Sequence, residues 1–294
     1  MMYLRQLRLC LVGMISALIF SGCGAPLPTS YQQLEYPDLT FQLPEVETLV
    51  LDNGIRLYLK ADDELPLVQV PAMIGSGGIS SAEEKTGFDD LFGSVWRSGG
   101  AGDRAPEALD EYLDFLAADL SSSMGTYSAQ LDLSLRSEDF SAGLSILGDL
   151  LLSPSFNSER LELARLQAQE HLRRQNDNPG SISRRLLMKA LYPDHYLGRT
   201  ATENSLESIT RQDLVDFHET YFAPNNLWIA VSGDFDRDTL LEALNKELGD
   251  WSRGPVPEQQ LPPVKAPDAG LIQLAAKDLP QTSILIGDLG LSKE

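Results

Sequence analysis

The stretch Lys85-Thr-Gly-Phe-Asp-Asp-Leu-Phe-Gly-Ser-Val-Trp-Arg-Ser-Gly-Gly100 decides how the rest of the chain is interpreted. Apolar residues recur in it at helical spacing, at Phe88, Leu91, Phe92 and Val95. This period predicts a buried helix over about 85–97. A loop over 75–85 precedes the helix, and a Gly-rich break over 98–102 follows it.

Upstream of this helix the sequence predicts three strands. Residues Thr48–Leu51 and Ile55–Lys60 flank the turn Asp52-Asn53-Gly54, a pattern typical of a β-hairpin. Residues Leu67–Ile74 follow a polar turn and predict a third, mostly apolar strand.

Downstream, helical and strand patterns alternate. An apolar stripe from Leu109 to Leu120 predicts a helix that starts near Pro106. Strict alternation over Tyr127–Arg136 predicts a strand. Further helices are predicted over about 137–152, 158–176, 181–191, 211–222 and 238–248, with a short buried strand over 227–231.

The N-terminus has the composition of a targeting segment. Arg5 and Arg8 form a basic region, and an apolar run over 9–20 follows. That run is shorter than the roughly 20 apolar residues that a membrane-spanning helix needs. Residues 1–22 are therefore predicted to be a signal peptide.

The end of this segment, Phe20-Ser-Gly-Cys23, resembles a bacterial lipobox with Phe in place of the usual Leu. The resemblance implies cleavage before Cys23, acylation of that cysteine and, because Gly24 follows it, placement at the periplasmic face of the outer membrane. An ordinary secretory signal is the alternative. Cys10 leaves with the signal, so no internal disulfide is expected.

Composition narrows the classes of function. The chain has 294 residues, 43% of them hydrophobic, which is enough for a well-formed core. Its formal charge of −20 argues against nucleic-acid binding, because a phosphate backbone requires Lys and Arg. A solvated acidic surface is the simpler interpretation of this charge.

Composition also divides the chain. Residues 23–44 are a Pro-rich tether, 45–252 a globular domain, and 253–269 a Pro-rich linker. After the linker, Ile272–Pro280 and Ser283–Gly287 echo the order of Leu57–Pro66 and Val70–Gly75: strand, acidic turn, Leu-Pro, strand, Gly. Residues 270–294 are therefore predicted to begin a second, truncated homologous domain.

Several landmarks together resemble the insulinase/pitrilysin family of zinc metallopeptidases, which includes the mitochondrial processing peptidases. They are Leu51-Asp-Asn-Gly-Ile-Arg-Leu57, Leu65-Pro66, Gly75, Lys85-Thr-Gly87, Leu151-Leu-Ser-Pro-Ser-Phe156, Asp177-Asn-Pro179, Asp213-Leu-Val-Asp-Phe-His218, Tyr221-Phe-Ala-Pro-Asn-Asn226 and Val231-Ser-Gly-Asp-Phe235. The resemblance implies an α+β half-unit, with a mostly antiparallel sheet packed by helices. In the family, two such halves enclose a chamber around an extended peptide.

Active family members carry His-x-x-Glu-His on the helix that follows the Thr-Gly position. Its two His residues and a downstream Glu bind zinc, and the motif Glu is the general base. Aligned to this motif, the chain has Asp90 and Ser94 at the ligand positions and Gly93 at the base. The downstream ligand corresponds to Glu170, with His171 beside it.

This degenerate motif implies that the half-unit has no catalytic residues. Gly93 cannot accept a proton, and Ser94 is a poor zinc ligand. Asp90, Glu170 and His171 are weak metal candidates, but two ligands without a base do not make a hydrolase. No cofactor is therefore expected, and Zn²⁺ would be implied only if the half-unit were active after all.

Three functions remain open at this point. The first is a catalytically silent subunit that pairs with an active, zinc-bearing insulinase-family chain and helps to hold extended peptides at the cell envelope. The second is an active metallopeptidase with ligands outside the usual motif. The third is a structural envelope lipoprotein.

Overall fold

A six-stranded sheet forms the centre of the fold. The computed structural model describes residues 44–258, 263–265, 270–278 and 281–290. The strands are β1 (Glu47–Val50), β2 (Arg56–Ala61), β3 (Leu67–Ile74), β4 (Asp119–Met124), β5 (Ala129–Arg136) and β6 (Leu227–Gly233). Their order across the sheet is β1-β2-β6-β3-β5-β4, and only the pair β2–β6 is parallel. The α+β class and the mostly antiparallel sheet are thus confirmed.

Helices cover one face of this sheet. Within the described residues there are eight: α1 (Phe88–Ser98), α2 (Pro106–Phe115), α3 (Phe140–Leu152), α4 (Ser158–Arg174), α5 (Pro179–Leu191), α6 (Glu203–Ser208), α7 (Arg211–Tyr221) and α8 (Arg237–Leu248). Along β3 and β5 every second side chain is buried, as expected when one face packs on a core and the other does not.

The predicted hairpin forms. Strands β1 and β2 pair antiparallel, with Glu47 opposite Leu59 and Val50 opposite Arg56. The turn between them depends on Gly54, whose φ of +100° is costly for any residue with a Cβ. The Asp-Asn-Gly motif therefore predicted this turn correctly.

Helix α1 begins later than predicted. Residues Glu83–Lys85 form a separate 3₁₀ turn, and Gly87 adopts a left-handed backbone with φ +98°. This break sets the axis of α1 from Phe88 onward, so that its apolar residues face the core.

The predicted helix after Pro106 is shorter than its apolar stripe. Helix α2 ends at Phe115, Ala117 has a positive φ of 48°, and Leu120 lies in strand β4, which the sequence did not predict. The three serines of β4 have little β preference, and pairing with β5 overrides that preference. The short helix α6 was also missed, although Thr202 and Ser205 form a capping box at its start.

Aromatic side chains join α1 to the rest of the core. Phe92 is fully buried, and five other rings lie 5.2–5.8 Å from its own. These partners come from α1, from α7 and from the segments after α3 and α7, and they are Phe88, Trp96, Phe156, Phe217 and Phe222. Phe92 therefore ties together elements that lie far apart in the sequence.

The segments after the linker form no strands in the described ranges 270–278 and 281–290, where the sequence predicted two. Lys277 Nζ donates to the carbonyl oxygen of Asp177 at 3.3 Å, and Ser183 Oγ of α5 lies 3.4 Å from the carbonyl oxygen of Ser283. A strand requires a neighbouring strand for its ladder, and helix α5 cannot supply one. The second domain itself stays a prediction.

The predicted signal peptide, Cys23 and the tether up to Leu43 lie outside the described residues. Among the residues that are described, no helix has both the length and the apolar character needed to cross a membrane.

Candidate functional site

The zinc-motif positions lie on α1 where it crosses edge strand β4. Ser122 Oγ of β4 donates to the carbonyl oxygen of Gly93 at 2.5 Å, and the backbone N–H of Arg97 donates to the same hydroxyl at 3.1 Å. A Cβ placed on Gly93 would lie 2.7 Å from the backbone nitrogen of Met124. Glycine is therefore required here, because strand and helix are in backbone contact.

Asp90, at the first ligand position, lies in the first turn of α1 and is exposed as a residue, although its carboxyl is partly desolvated. Burial raises the pKa of the Asp90 carboxyl above its usual value; the nearby charge of Asp89 adds to this rise, and His171 opposes it. The structure thus places Asp90 and His171 close enough to interact electrostatically. The raised pKa means that the ionised carboxylate, the form that binds metals, is less favoured at Asp90 than at a fully solvated aspartate.

Glu170, at the downstream ligand position, is bound by arginines of its own helix. Its carboxylate accepts from Arg174 Nε at 2.7 Å and lies 3.7 Å from Arg173 Nη1. Ser94 is exposed, and its carbonyl oxygen accepts from Ser98 Oγ. Neither side chain is arranged as a metal ligand.

These residues do not fit a catalytic zinc ion. The donor set would combine one aspartate, a serine and a glutamate that is already paired with arginines, with no base at Gly93. Within the described part of the chain, no group of three or more His, Cys, Asp and Glu side chains is arranged to hold a metal. Zinc chemistry is therefore not assigned to this half-unit.

A hydrogen-bonded pair of side chains that the sequence did not predict lies at the start of α1. Tyr196 Oη donates to Asp89 Oδ2 at 2.8 Å, and burial raises the pKa of Tyr196 well above its usual value. This bond ties the α5–α6 connection to α1. No periodicity or motif in the sequence brings residues 89 and 196 together.

His195 and His218 have structural roles. His195 is buried and its Nδ1 accepts from the backbone N–H of Leu197 at 3.2 Å. His218 Nε2 lies 2.9 Å from the carbonyl oxygen of Leu151, and its ring packs on Phe156 and Phe222. Both contacts explain these residues without any metal.

His218 makes folding depend on pH. Burial lowers the pKa of His218 below its usual value of 6.5, so the unfolded chain binds a proton in a range where the folded chain does not. The free energy of unfolding should therefore fall as the pH drops below about 6.5. Denaturant unfolding at pH 5 to 8 measures this, and His218→Gln should have a shallower dependence; an unchanged dependence would contradict the assignment.

Comparison with known proteins agrees with this geometry. A family model described as "Peptidase M16 inactive domain" matches residues 208–293. The solved structure of a peptidase M16 inactive domain from Pseudomonas fluorescens has a TM-score of 0.67 at 22% identity, covering 76% of this chain and 54% of that one. This structural match shows the fold.

Sequence relatives include proteins named as peptidases and one named as a non-peptidase. The chain is 22% identical over 208 residues to the uncharacterized zinc protease YmxG of Bacillus subtilis, covering 70% of this chain and 50% of the relative. It is 24% identical over 225 residues to the non-peptidase homolog YmxG of Helicobacter pylori, covering 76% and 51%. It is also 24% identical over 233 residues to the mitochondrial-processing peptidase subunit beta of Bos taurus, covering 77% and 46%.

The chain spans about half the length of these relatives, or less. Its landmarks, its relatives and its fold agree with one another, and the degenerate positions 90, 93 and 94 agree with the inactive and non-peptidase descriptions. The chain is therefore similar to the insulinase/pitrilysin (peptidase M16) family, and its zinc motif is degenerate.

Proposed function

We propose that this chain is a non-catalytic subunit that pairs with an active, zinc-bearing insulinase-family chain and forms part of the wall around an extended peptide. The observation that carries this proposal is the backbone contact between Gly93 and Met124. It leaves no room for a general base, so the α1 surface can support a chamber but cannot hydrolyse a peptide bond there.

A partner chain is supported by the relatives. One of them is named as the beta subunit of a processing peptidase, and another as a non-peptidase homolog. A catalytically inactive half-unit can contribute to peptide binding when a zinc-bearing chain supplies the missing metal ligands and general base.

Extended peptides are supported by the sheet. Strand β4 lies at one end of the strand order, so within the described residues only its β5 side is paired. A free edge presents backbone N–H and C=O groups that an extended peptide can pair with, largely independently of its sequence. Such an edge suits a subunit that holds many different peptides.

Two further parts of the proposal concern the ends of the chain. Acylation at Cys23 would anchor the protein at the periplasmic face of the outer membrane, with 23–44 as tether; lipid labelling of the mature protein tests this. Ile272, Leu274, Ile284 and Ile286 are 75–93% exposed, which supports a second domain that would cover these apolar side chains. Hydrogen exchange of 271–286 with and without the partner tests that domain.

The decisive experiment measures zinc content and peptide cleavage of the purified chain, alone and mixed with a zinc-bearing chain that contains His-x-x-Glu-His. We expect no zinc and no cleavage alone, and cleavage that changes on mixing. As a control, Glu→Gln in the partner's motif should abolish cleavage by the mixture.

Other outcomes would contradict the proposal in distinct ways. One zinc per chain with cleavage by the chain alone would show an active peptidase whose ligands lie outside the usual motif. No pairing, no peptide binding and a loss of envelope integrity when the protein is absent would instead indicate a structural lipoprotein.

A further inference from the structure

The sheet face opposite the helices has an apolar centre. On this face, which we call the open face, Trp228 of β6 lies opposite Met73 of β3, and Tyr58 of β2 lies opposite Ala230 of β6. Pro71 lies on the same face, two residues before Met73. Tyr58 and Met73 are each 37% exposed. A solvated sheet face normally carries polar side chains, so this centre marks a binding surface.

The unpaired charges on the two sides of the open face are opposite in sign, since Arg136 of β5 is already paired with Glu138 and Asp139. On the β2 side, the Arg56 guanidinium lies 4.9 Å from the centroid of the Trp228 ring, and no described carboxylate pairs with it. On the β5 side, Asp132 Oδ1 accepts from Gln130 Nε2 at 2.6 Å, and no Lys or Arg in the described ranges pairs with it. Asp119 of β4 lies beyond it, toward the free edge.

The spacing of these three features matches an extended peptide that crosses the strands. Strands β2 and β5 are separated by three interstrand spacings, or about 14 Å, and Asp132 lies opposite Pro71, two residues along β3 from Met73. Arg56 and Asp132 are therefore about 16 Å apart on a diagonal across the strands, with the apolar centre between them. In an extended peptide, side chains i, i+2 and i+4 point to the same side, at intervals of about 6.8 Å. Three such side chains would reach Arg56, the apolar centre and Asp132 together.

We propose that the open face binds extended peptides with an acidic side chain at i, a large apolar one at i+2 and a basic one at i+4, in either chain direction. The acidic group pairs with Arg56, the apolar group covers Trp228 and Met73, and the basic group pairs with Asp132. This specificity rests on the proposed function, because it assumes that the protein holds peptides.

The test measures the affinity of the intact chain for fluorescent peptides by anisotropy. One peptide contains Glu-Ser-Phe-Ser-Arg, and a second contains the same residues as Glu-Ser-Phe-Arg-Ser, which turns the basic side chain to the opposite side. The reversed sequence of the first is also measured. We expect the i, i+2, i+4 pattern, in at least one direction, to bind about two- to fivefold more tightly, the range of an exposed ion pair.

Variants assign this preference to residues. Asp132→Asn, which preserves shape, should abolish the preference, whereas Asp103→Asn, beside Asp149 of α3, should leave it unchanged. Met73→Ala and Tyr58→Ala should reduce the preference for Phe over Ala at i+2. Circular dichroism of each variant checks that it folds.

Two results would overturn the inference. Equal binding of the patterned and permuted peptides would exclude the i, i+2, i+4 geometry, and an Asp132→Asn variant with an unchanged preference would exclude that residue. In either case, cleavage that changes on mixing with the zinc-bearing chain would leave the proposed function standing. No binding of any peptide, together with no effect on mixing, would remove both.

Discussion

Replacing Phe92 with alanine is expected to lower the free energy of unfolding by about 3–5 kcal/mol. Its ring is fully buried, and five aromatic rings from separate elements surround it at 5.2–5.8 Å. Removing the ring loses its transfer free energy and leaves a cavity that rigid neighbours cannot fill. Urea unfolding at equilibrium, followed by tryptophan fluorescence, measures the change.

Phe115→Ala is the matched control. Phe115 ends helix α2 and is 79% exposed, so the same substitution should change stability by only about 0.5 kcal/mol. If both variants lost the same stability, or if Phe92→Ala lost less than about 1 kcal/mol, the aromatic cluster would not be what holds α1 in place.

Local sequence signals were sufficient for most of the fold. The period of Phe88, Leu91, Phe92 and Val95 predicted α1, the mostly apolar run over 67–74 predicted β3, and the alternation over 127–136 predicted β5. Where the prediction failed, tertiary pairing had overridden local preference. Strand β4 exists because β5 supplies its ladder, which three consecutive serines do not reveal.

The site could be predicted in part. The sequence showed that position 93 has no base, because glycine has no side chain. It could not show why glycine stands there, since the reason is the backbone of Met124, about thirty residues further along the chain. The open face could not be predicted for a similar reason, because only the strand order brings Arg56, Trp228 and Asp132 onto one face of one sheet.

Gly93→Glu, which would place a carboxylate at the position of the general base, is expected to destabilise the protein by about 3 kcal/mol or more without creating hydrolysis. A Cβ at this position meets backbone atoms of Ser123 and Met124 at 2.7–3.2 Å, and these cannot move without displacing β4. Overpacking of this kind costs about 1–3 kcal/mol, and burying part of a carboxylate adds to it.

Gly93→Ala separates the steric part of this effect. Alanine gains up to about 1 kcal/mol over glycine in helix propensity, so a net loss of about 1–2 kcal/mol would mean that the contact with β4 costs about 2–3 kcal/mol. Ser94→Ala, at the adjacent exposed position of α1, is the matched control and should be neutral or slightly stabilising. Urea unfolding compares the two variants.

The contact between Gly93 and β4 also predicts how the protein responds when the zinc motif is restored. The triple variant with Asp90→His, Gly93→Glu and Ser94→His restores the sequence His-x-x-Glu-His in α1. We expect it to be unstable and to bind no stoichiometric zinc, because β4 still occupies the space that the general base would need. Elemental analysis and the unfolding midpoint measure both properties. The prediction is wrong if the triple variant folds like the parent and binds one zinc per chain. That result would mean that the loss of the zinc-binding and basic side chains alone inactivated this half-unit, and that the close contact at Gly93 arose afterwards.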